Sequence, residues 1–261
     1  MMRIAAFQMV AQPGDVAANL ALIDGAAHEA KAAGATLLVG PELATTGYGA
    51  GDAIRNLAES TDGAQVARFA AIAEEHGITL VAGFAERDGA AIYNTAALLT
   101  PEGRRILYRK CHLYGDYERA LFRPGDRPSP LVKLDDMRLG LLICYDVEFP
   151  EPVRALARAG ADLVLVPTAQ PDTADAAFIA EKIVPVRAFE NGIAIVYADH
   201  AGADRNFSYA GRSAIVLPDG ADAARAAPEG RAVIVADYEP AAFAQTRAAN
   251  PYLRDLRADL F

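Results

Sequence analysis

Cysteine is scarce in this chain, with Cys111 and Cys144 as the only two among 261 residues. Two cysteines exclude the dense disulfide framework of a small secreted domain, although the sequence alone leaves a single bridge between them open. No apolar stretch approaches the length of a membrane span, and the N-terminus runs directly into a strand-like segment without a signal peptide. These absences predict a cytoplasmic protein in a reducing compartment, with no membrane partner.

Histidine is also sparse, and metal-ligand spacing is absent. The four histidines stand at positions 28, 76, 112 and 200, so no two of them have the spacing of a zinc site. The glycine-rich segment 47–51 matches neither the dinucleotide-binding nor the phosphate-binding loop pattern. The formal net charge of −9 argues against nucleic acid and anionic membranes as partners. These patterns predict no metal site and no nucleotide cofactor.

Three side chains with complementary chemistry follow apolar, strand-like segments. They are Glu42 after residues 37–41, Lys110 after residues 106–109, and Cys144 after residues 139–143. Active sites in α/β proteins gather where strands end, so we expect these three side chains to meet in one pocket. A single carboxylate or ammonium at a strand end is usually solvated surface, and a free cysteine is usually a small buried hydrophobe. The combination of the three indicates catalysis.

The distribution of apolar residues predicts one α/β domain over residues 1–261. Strands are expected over residues 3–9, 36–39, 78–84, 93–100, 105–109, 131–134, 137–143, 163–166, 193–198, 213–217 and 232–236. Helices are expected over residues 16–33 after an Asp15 cap, 62–76, 150–159 and 173–190, the last kinked at Pro185. Residues 111–130 are expected to form a long irregular loop. A loop of this length inside a compact domain usually serves a function. Several strands adjoin through hairpin turns, which favours a mixed sheet or two packed sheets with helices outside.

The C-terminal tail, from about residue 245, has apolar side chains that need a surface to pack on. Those after position 250 are Pro251, Tyr252, Leu253, Leu256, Leu260 and Phe261. A neighbouring subunit is one candidate surface, and the body of the same chain is the other.

The segments 40–42 (Gly-Pro-Glu), 108–113 (Tyr-Arg-Lys-Cys-His-Leu) and 144–151 (Cys-Tyr-Asp-Val-Glu-Phe-Pro-Glu) together resemble the nitrilase superfamily of carbon–nitrogen hydrolases. The likeness runs over essentially the whole chain and includes Asn94 and residues 187–191. Within that superfamily the chain is most similar to aliphatic amidases of the 5-aminopentanamidase type, including the closing segment 250–257.

This resemblance implies a four-layer α-β-β-α sandwich of two mixed sheets that assembles as a homodimer or a higher homo-oligomer. It also implies a catalytic Glu–Lys–Cys triad of Glu42, Lys110 and Cys144, with Glu118 as a second glutamate in the loop after the lysine. Relatives commonly carry Thr where this chain has Cys111, which on a strand would point away from Lys110.

The residues themselves indicate how an amide would be hydrolysed. Glu42 takes the thiol proton of Cys144, whose thiolate attacks the carbonyl carbon. Lys110 and the backbone N–H of Tyr145 hold the oxyanion, and a thioester on Cys144 is then hydrolysed by water. Glu118 orients Lys110 or the substrate amide. This sequence of steps needs no metal and no organic cofactor.

The substrate is expected to be a small aliphatic amide, with an ω-amino amide as the finer hypothesis. Glu148 stands where relatives that act on carboxylate-bearing substrates often carry arginine, so it favours an amine or a neutral group. An equally good reading of Glu148 is a carboxylate at a helix N-terminus. The expected pocket walls are Tyr48, Tyr114, Phe149 and the loop 168–172, including Thr168 and Ala169.

Two alternatives to an amidase stay open from the sequence. A nitrilase or an N-carbamoyl amidohydrolase would use the same triad, and only assays on matching nitriles and amides separate them. A non-catalytic binding member of the superfamily would be expected to have a broken triad, whereas Glu42, Lys110 and Cys144 are all present.

Overall fold

The computed structural model describes residues 1–260, apart from the side chain of Ala258; Phe261, predicted to belong to the apolar tail, lies outside the described residues. The strands are β1 (Met2–Gln8), β2 (Leu37–Val39), β3 (Thr79–Asp88), β4 (Ala91–Leu99), β5 (Arg105–Arg109), β6 (Val132–Leu134), β7 (Met137–Leu141), β8 (Leu163–Pro167), β9 (Ala194–Ala198), β10 (Ala201–Ala203), β11 (Ser208–Ala210), β12 (Ala214–Val216), β13 (Asp222–Arg225) and β14 (Ala232–Tyr238). The helices are α1 (Val16–Ala32), α2 (Ala53–Leu57), α3 (Ala64–His76), α4 (Gly115–Leu121), α5 (Pro150–Arg158), α6 (Ala176–Phe178), α7 (Val184–Asn191), α8 (Ala244–Ala249) and α9 (Tyr252–Asp255).

All strands except β10 and β11 form two six-stranded mixed sheets. The first has the order β14-β1-β2-β3-β4-β5, and the second has the order β13-β12-β9-β8-β7-β6. Strands β1, β2 and β3 are parallel, and β5 shares their direction because β4 is antiparallel to both of its neighbours. In the second sheet β7, β8 and β9 are parallel. Each sheet therefore presents several carboxyl-terminal strand ends at one edge.

Alternating side chains of β1 show how the sheets and helices form layers. Met2, Ile4 and Ala6 belong to the core between the two sheets, whereas Ala5 and Phe7 belong to the core under α1 and α3. On the far side of the second sheet, the buried residues of α5 and α7 join the central core. The layers are thus α-β-β-α, and the predicted fold class is confirmed.

Two predicted elements differ from the structure. The supposed irregular loop 111–130 contains helix α4, whose buried face carries Glu118 and Leu121. The expected helix 173–190 is divided into α6, a π-helical segment Ile179–Ile183 and α7. The irregular turn lies directly before Pro185, which has no N–H for a helical hydrogen bond and clashes with the preceding turn.

The sequence also gave no sign of three short strands. Strands β10 and β11 form a small separate hairpin, and β13 is the exposed edge of the second sheet. Their residues, three or four in each strand, are too few to show a clear period of two.

The C-terminal tail contacts the body of its own chain. The Tyr252 ring in α9 lies 5.9 Å from the Phe189 ring of α7, edge to face. Several apolar side chains of the tail remain open to solvent, with Leu260 63% exposed. Packing of the tail on a second subunit therefore stays a prediction. Among residues 1–260, no helix is long and apolar enough to cross a membrane.

Candidate active site

The carboxyl ends of strands from both sheets converge on one buried point. Glu42 follows β2 and Lys110 follows β5 of the first sheet, whereas Cys144 follows β7 of the second. The backbone N–H of Glu42 donates to the carbonyl oxygen of Thr168, at the end of β8, at 3.3 Å. His200, which follows β9, places Nε2 at 2.7 Å from the Glu42 carbonyl oxygen. The fold itself therefore brings the three predicted catalytic side chains into one region.

Lys110 lies between two carboxylates. Its ammonium group donates to Glu42 Oε1 at 2.7 Å and to Glu118 Oε1 at 2.6 Å. All three side chains are completely shielded from solvent. An ammonium group has three donors, so one N–H of Lys110 remains for a further acceptor.

Glu42 has one satisfied oxygen and one free oxygen. Oε1 accepts from Lys110 and from Asn94 Nδ2, the latter at 2.5 Å, whereas Oε2 is buried without a hydrogen-bond partner. Burial, aided by the charge of Glu118 and opposed by Lys110, raises the pKa of Glu42 to about 7. A carboxyl group with a pKa near neutrality and an unoccupied oxygen can both accept and return a proton.

The same charges act on Lys110 and Cys144. Burial alone would lower the pKa of Lys110, but Glu118 and Glu42 outweigh it and hold the pKa well above its usual value. Burial and the charge of Glu42 raise the pKa of the Cys144 thiol well above its usual value, whereas Lys110 and the backbone N–H of Ala169 lower it. Cys144 is therefore a thiol at rest that depends on a nearby base for activation.

The turn that holds Cys144 is fixed by a buried aspartate. Cys144 begins a 3-10 segment, Cys144–Glu148, in the left-handed region at φ 45°. Asp146 Oδ2 accepts from the Ile143 backbone N–H at 3.1 Å and from the Tyr108 hydroxyl at 2.9 Å. A non-glycine residue in this region costs about 1–2 kcal/mol, and the Asp146 contacts offset that cost locally.

Asp146 also connects this turn to the segment after Lys110. Its Oδ1 accepts from the His112 backbone N–H at 2.9 Å and lies 2.7 Å from His112 Nδ1. The hydrogen bond to Asp146 raises the pKa of His112. Because His112 is two residues from Lys110, this single carboxylate fixes the nucleophile turn relative to the lysine.

The backbone at Glu42 is in close contact with Gly83 of β3 and with His200. A methyl group at Gly83 in β3 would come within 2.3 Å of the Leu43 backbone nitrogen and 2.7 Å of Glu42 Cα. Leu43 has φ 46°, again left-handed. Burial lowers the pKa of His200 to about 4, so this histidine is neutral and donates from Nε2 to the Glu42 carbonyl oxygen.

Aromatic side chains cluster around Tyr145, the residue that follows Cys144. The Tyr145 ring meets the Tyr114 ring at 5.2 Å and the Phe149 ring at 4.9 Å, both edge to face. The His112 ring stacks on Phe149 at 4.2 Å. These rings are half-buried or, for Tyr114, exposed, and so are available to contact a small ligand.

The remaining predicted pocket residues occupy different depths. Thr168 and Ala169 are buried at the carboxyl end of β8. Tyr48 is buried as well, and its hydroxyl donates to Glu118 Oε1 at 3.0 Å. Glu148 is half-buried, and burial raises its pKa to about 7, with Lys110 and Arg187 opposing that shift. Glu148 therefore lies close enough to Lys110 to sense its charge.

Some supporting residues were not predicted from the sequence. Asn94 stood out only as part of the family likeness. Its backbone carbonyl oxygen accepts from the Lys110 backbone N–H at 2.8 Å, and its side-chain amide donates to the Glu42 carboxylate, so this residue links the two. Asp146 and His200 were present in the sequence without a signal for their roles. Their partners include Tyr108 and His112 for Asp146 and the Glu42 carbonyl oxygen for His200, which lie in distant parts of the sequence, so only the folded chain reveals these contacts.

The described residues contain one group with metal-ligand side chains, and it lies outside this site. Asp24, Glu75 and His76 come together on the outer surface of α1 and α3. Arg68 binds both carboxylates, each at 2.8 Å. The group is therefore a surface ion-pair cluster in which both carboxylates already share the Arg68 cation.

The chain belongs to the carbon-nitrogen hydrolase family, whose profile matches residues 3–248. It is accordingly a hydrolase of non-peptide carbon–nitrogen bonds in the nitrilase superfamily, as the sequence predicted. A Pseudomonas protegens protein named "Hydrolase in pqqF 5'region" is 42% identical over 100% of this chain and 90% of its own length. An (R)-stereoselective amidase from Pseudomonas sp is 37% identical over 84% of this chain and 78% of its own.

A solved amidase from Nesterenkonia sp. AN1 is similar in structure as well. It is 38% identical, with a TM-score of 0.88 over 100% of this chain and 98% of that chain. A glutamate-to-glutamine mutant of that amidase shows Michael addition of acrylamide at its active-site cysteine. A cysteine-to-alanine mutant of the same enzyme was solved in complex with butyramide.

Proposed function

We propose that this protein is an amidase that converts a small aliphatic amide to its carboxylate and ammonia through a thioester on Cys144. The observation that carries the proposal is the free Oε2 of Glu42, a buried carboxyl group whose pKa lies near 7 and whose other oxygen is fixed by Lys110 and Asn94. Similarity to the (R)-stereoselective amidase and the Nesterenkonia amidase supports the same reaction.

Acylation is the first half of the proposed reaction. Ionised Glu42 takes the Cys144 proton on Oε2, and the thiolate forms a bond to the amide carbon as the carbonyl π electrons move to oxygen. The unused N–H of Lys110 and the backbone N–H of Tyr145 stabilise this oxyanion, each worth about 3 kcal/mol in the transition state. Collapse of the intermediate breaks the C–N bond, and Glu42 returns the proton to departing ammonia.

Hydrolysis of the thioester is the second half. Water attacks the acyl carbon while Glu42 takes one of its protons, and the same oxyanion donors act again. The C–S bond breaks, Glu42 returns its proton to the Cys144 sulfur, and the released acid gives its remaining proton to solvent and leaves as a carboxylate. Glu118, bound to Lys110, keeps the ammonium group in place throughout.

For the substrate, we propose an ω-amino amide in the manner of 5-aminopentanamide. Glu148 is half-buried beside this site, and no hydrogen bond to its carboxyl group is found among the described residues. The Arg187 guanidinium group instead binds the carbonyl oxygens of Val147 and Glu148 and the carboxylate of Glu190. The Glu148 carboxyl group is therefore available for the amine of a substrate and unfavourable for a carboxylate.

Ammonia release from a substrate panel tests both levels of the proposal. The panel contains 5-aminopentanamide, the corresponding ω-carboxy amide, pentanamide and pentanenitrile, with Cys144→Ala as the inactive reference. Turnover of the amino amide that depends on Cys144 is the expected result, and Glu148→Gln should raise its KM more than that of pentanamide. Preference for the carboxy amide would contradict the assignment of Glu148 and leave the triad in place.

The same panel separates the alternative activities. Faster release from the nitrile than from the amide would identify a nitrilase, and an added N-carbamoyl amine would reveal a carbamoyl hydrolase. If no compound releases ammonia and Cys144 does not react with iodoacetamide, a non-catalytic binding member would be favoured.

We also propose a homodimer that covers the exposed part of the C-terminal tail. The molar mass of the protein in solution is the direct measurement of this assembly.

A further inference from the structure

Tyr48 does not line the open part of the site. It lies in the 3-10 segment Tyr48–Ala50 and is 2% exposed. Its hydroxyl donates to Glu118 Oε1 at 3.0 Å, the same oxygen that accepts from Lys110 at 2.6 Å. Tyr48 thus contacts the second glutamate within the protein interior.

The Glu118 carboxyl group acts only as an acceptor in its hydrogen bonds to the described residues. Oε1 accepts from Lys110 and Tyr48, and Oε2 accepts from the Tyr114 backbone N–H at 2.8 Å. A carboxyl group used wholly as an acceptor is in its ionised form. Glu118 carries that charge in a fully buried position, where losing one donor leaves an acceptor unsatisfied.

Tyr48 is itself held firmly. Its carbonyl oxygen accepts from the Tyr117 hydroxyl at 2.6 Å, and the same hydroxyl accepts from the Gly51 backbone N–H at 3.1 Å. The Tyr48 ring packs against Tyr117 at 5.3 Å and edge to face on Phe207 at 5.2 Å. The ring is therefore fixed by a cluster that reaches α4 and the β10–β11 hairpin.

We infer that Tyr48 is a positioning residue whose hydroxyl fixes the Glu118 carboxylate and thereby the Lys110 ammonium group between Glu118 and Glu42. The inference deepens the proposed function and rests on it, because Lys110 is assigned there as an oxyanion donor. Tyr48 acts only through Glu118, so its hydroxyl affects the chemical step and leaves substrate binding nearly unchanged.

Tyr48→Phe is the direct variant, since it keeps the buried ring and removes the oxygen. Hydrogen bonds to charged groups are strong enough to predict a roughly 10- to 100-fold loss in kcat, with KM within about twofold of wild type. Tyr209→Phe is the matched control: the Tyr209 ring lies 6.4 Å from Tyr48 in the same cluster, and its hydroxyl binds Asp204. The control should retain kcat within about threefold.

A double-mutant cycle with Glu118→Gln tests whether the effect travels through Glu118. In that background, Tyr48→Phe should cost less than about threefold in kcat, because the acceptor it serves is already altered. Full additivity of the two losses would overturn the inference. So would a rise in KM at unchanged kcat, since it would make Tyr48 a wall of the substrate pocket.

A second readout needs no substrate. Lys110 lowers the pKa of the Cys144 thiol, so displacement of Lys110 in Tyr48→Phe should move the pH midpoint of Cys144 alkylation upward. Iodoacetamide labelling followed by peptide mass analysis separates Cys144 from Cys111. If no amide is hydrolysed but the midpoint moves in Tyr48→Phe and not in Tyr209→Phe, the proposed function fails and the positioning role stands. An unmoved midpoint in Tyr48→Phe overturns the role.

Discussion

The Lys110 ammonium group and the Glu42 carboxylate lie 2.7 Å apart, both completely shielded from solvent. A buried pair of this kind is costly to form and more costly to break, because its removal leaves an uncompensated charge. Here the lysine also serves Glu118, so one positive charge faces two carboxyl groups. The excess negative charge contributes to the raised pKa of Glu42 and provides a base poised near neutral pH.

Removing the shared cation should destabilise the fold. Lys110→Met leaves Glu42 and Glu118 facing each other without a counter-charge, and we expect a loss of about 3–5 kcal/mol in unfolding free energy at pH 8. Urea unfolding at pH 8 and pH 5 measures the effect, which should shrink at pH 5 as a carboxyl group takes up a proton. The control is Lys133→Met, since Lys133 is an exposed lysine. Equal losses in the two variants would contradict the central place of Lys110.

The pH dependence of turnover should report Glu42. Glu42 must be ionised to take the thiol proton, and its pKa is raised to about 7, so kcat/KM should fall about tenfold per pH unit below neutrality. Glu42→Gln should lose roughly 10²- to 10⁴-fold in kcat at every pH, whereas the exposed control Glu102→Gln should keep the wild-type profile. An acid limb centred at the ordinary pKa of a glutamate would show that Glu42 is not the titrating base.

The close approach of β3 to Glu42 predicts a glycine requirement. In Gly83→Ala the added methyl group would lie 2.3 Å from the Leu43 backbone nitrogen and must push the Glu42 backbone aside. We expect a loss of about 1–3 kcal/mol in stability and a disproportionate loss of kcat. Gly25→Ala is the control, since nothing lies within 4 Å of that position in α1 and the change should stabilise by up to about 1 kcal/mol. Full activity in Gly83→Ala would refute the contact.

His200 should contribute to acid sensitivity. Its folded-state pKa is lowered to about 4 from the ordinary histidine value of 6.5, so stability present above pH 6.5 is lost as pH falls toward 4. His200→Gln keeps an N–H donor for the Glu42 carbonyl oxygen and does not titrate. Between pH 7 and pH 5, wild type should lose about 2 kcal/mol more unfolding free energy than this variant. Equal losses of unfolding free energy in wild type and His200→Gln would mean that protonation of His200 does not cause the acid sensitivity.

The sequence pattern was sufficient for the residues at strand ends, but it left one mixed sheet or two packed sheets open, and the four layers came from the family likeness. Apolar segments before Glu42, Lys110 and Cys144 predicted the strands β2, β5 and β7, and each of the three side chains follows the carboxyl end of its strand. Helix α5 also begins at Pro150, as predicted from the tolerance of the first turn for proline. These features follow from local sequence patterns and can be predicted without knowledge of tertiary contacts.

Other features depend on contacts that a linear pattern does not contain. Glu118 was matched through the family likeness, but its helix is seven residues long and held by the burial of Glu118 and Leu121. Tyr48 was expected to line the pocket, whereas its hydroxyl serves Glu118, 70 positions away in sequence. Asp146 binds groups from three segments, and only the folded chain brings those segments to one carboxylate.

Mass analysis of the enzyme quenched during turnover tests the central claim most directly. Wild-type protein mixed with 5-aminopentanamide or pentanamide should show a population heavier by the substrate mass less one ammonia, with the addition on the peptide that contains Cys144. Glu42→Gln should form this adduct more slowly, and Cys144→Ala should form none while losing turnover. Steady amide hydrolysis by Cys144→Ala, or acyl addition at another residue, would contradict the account.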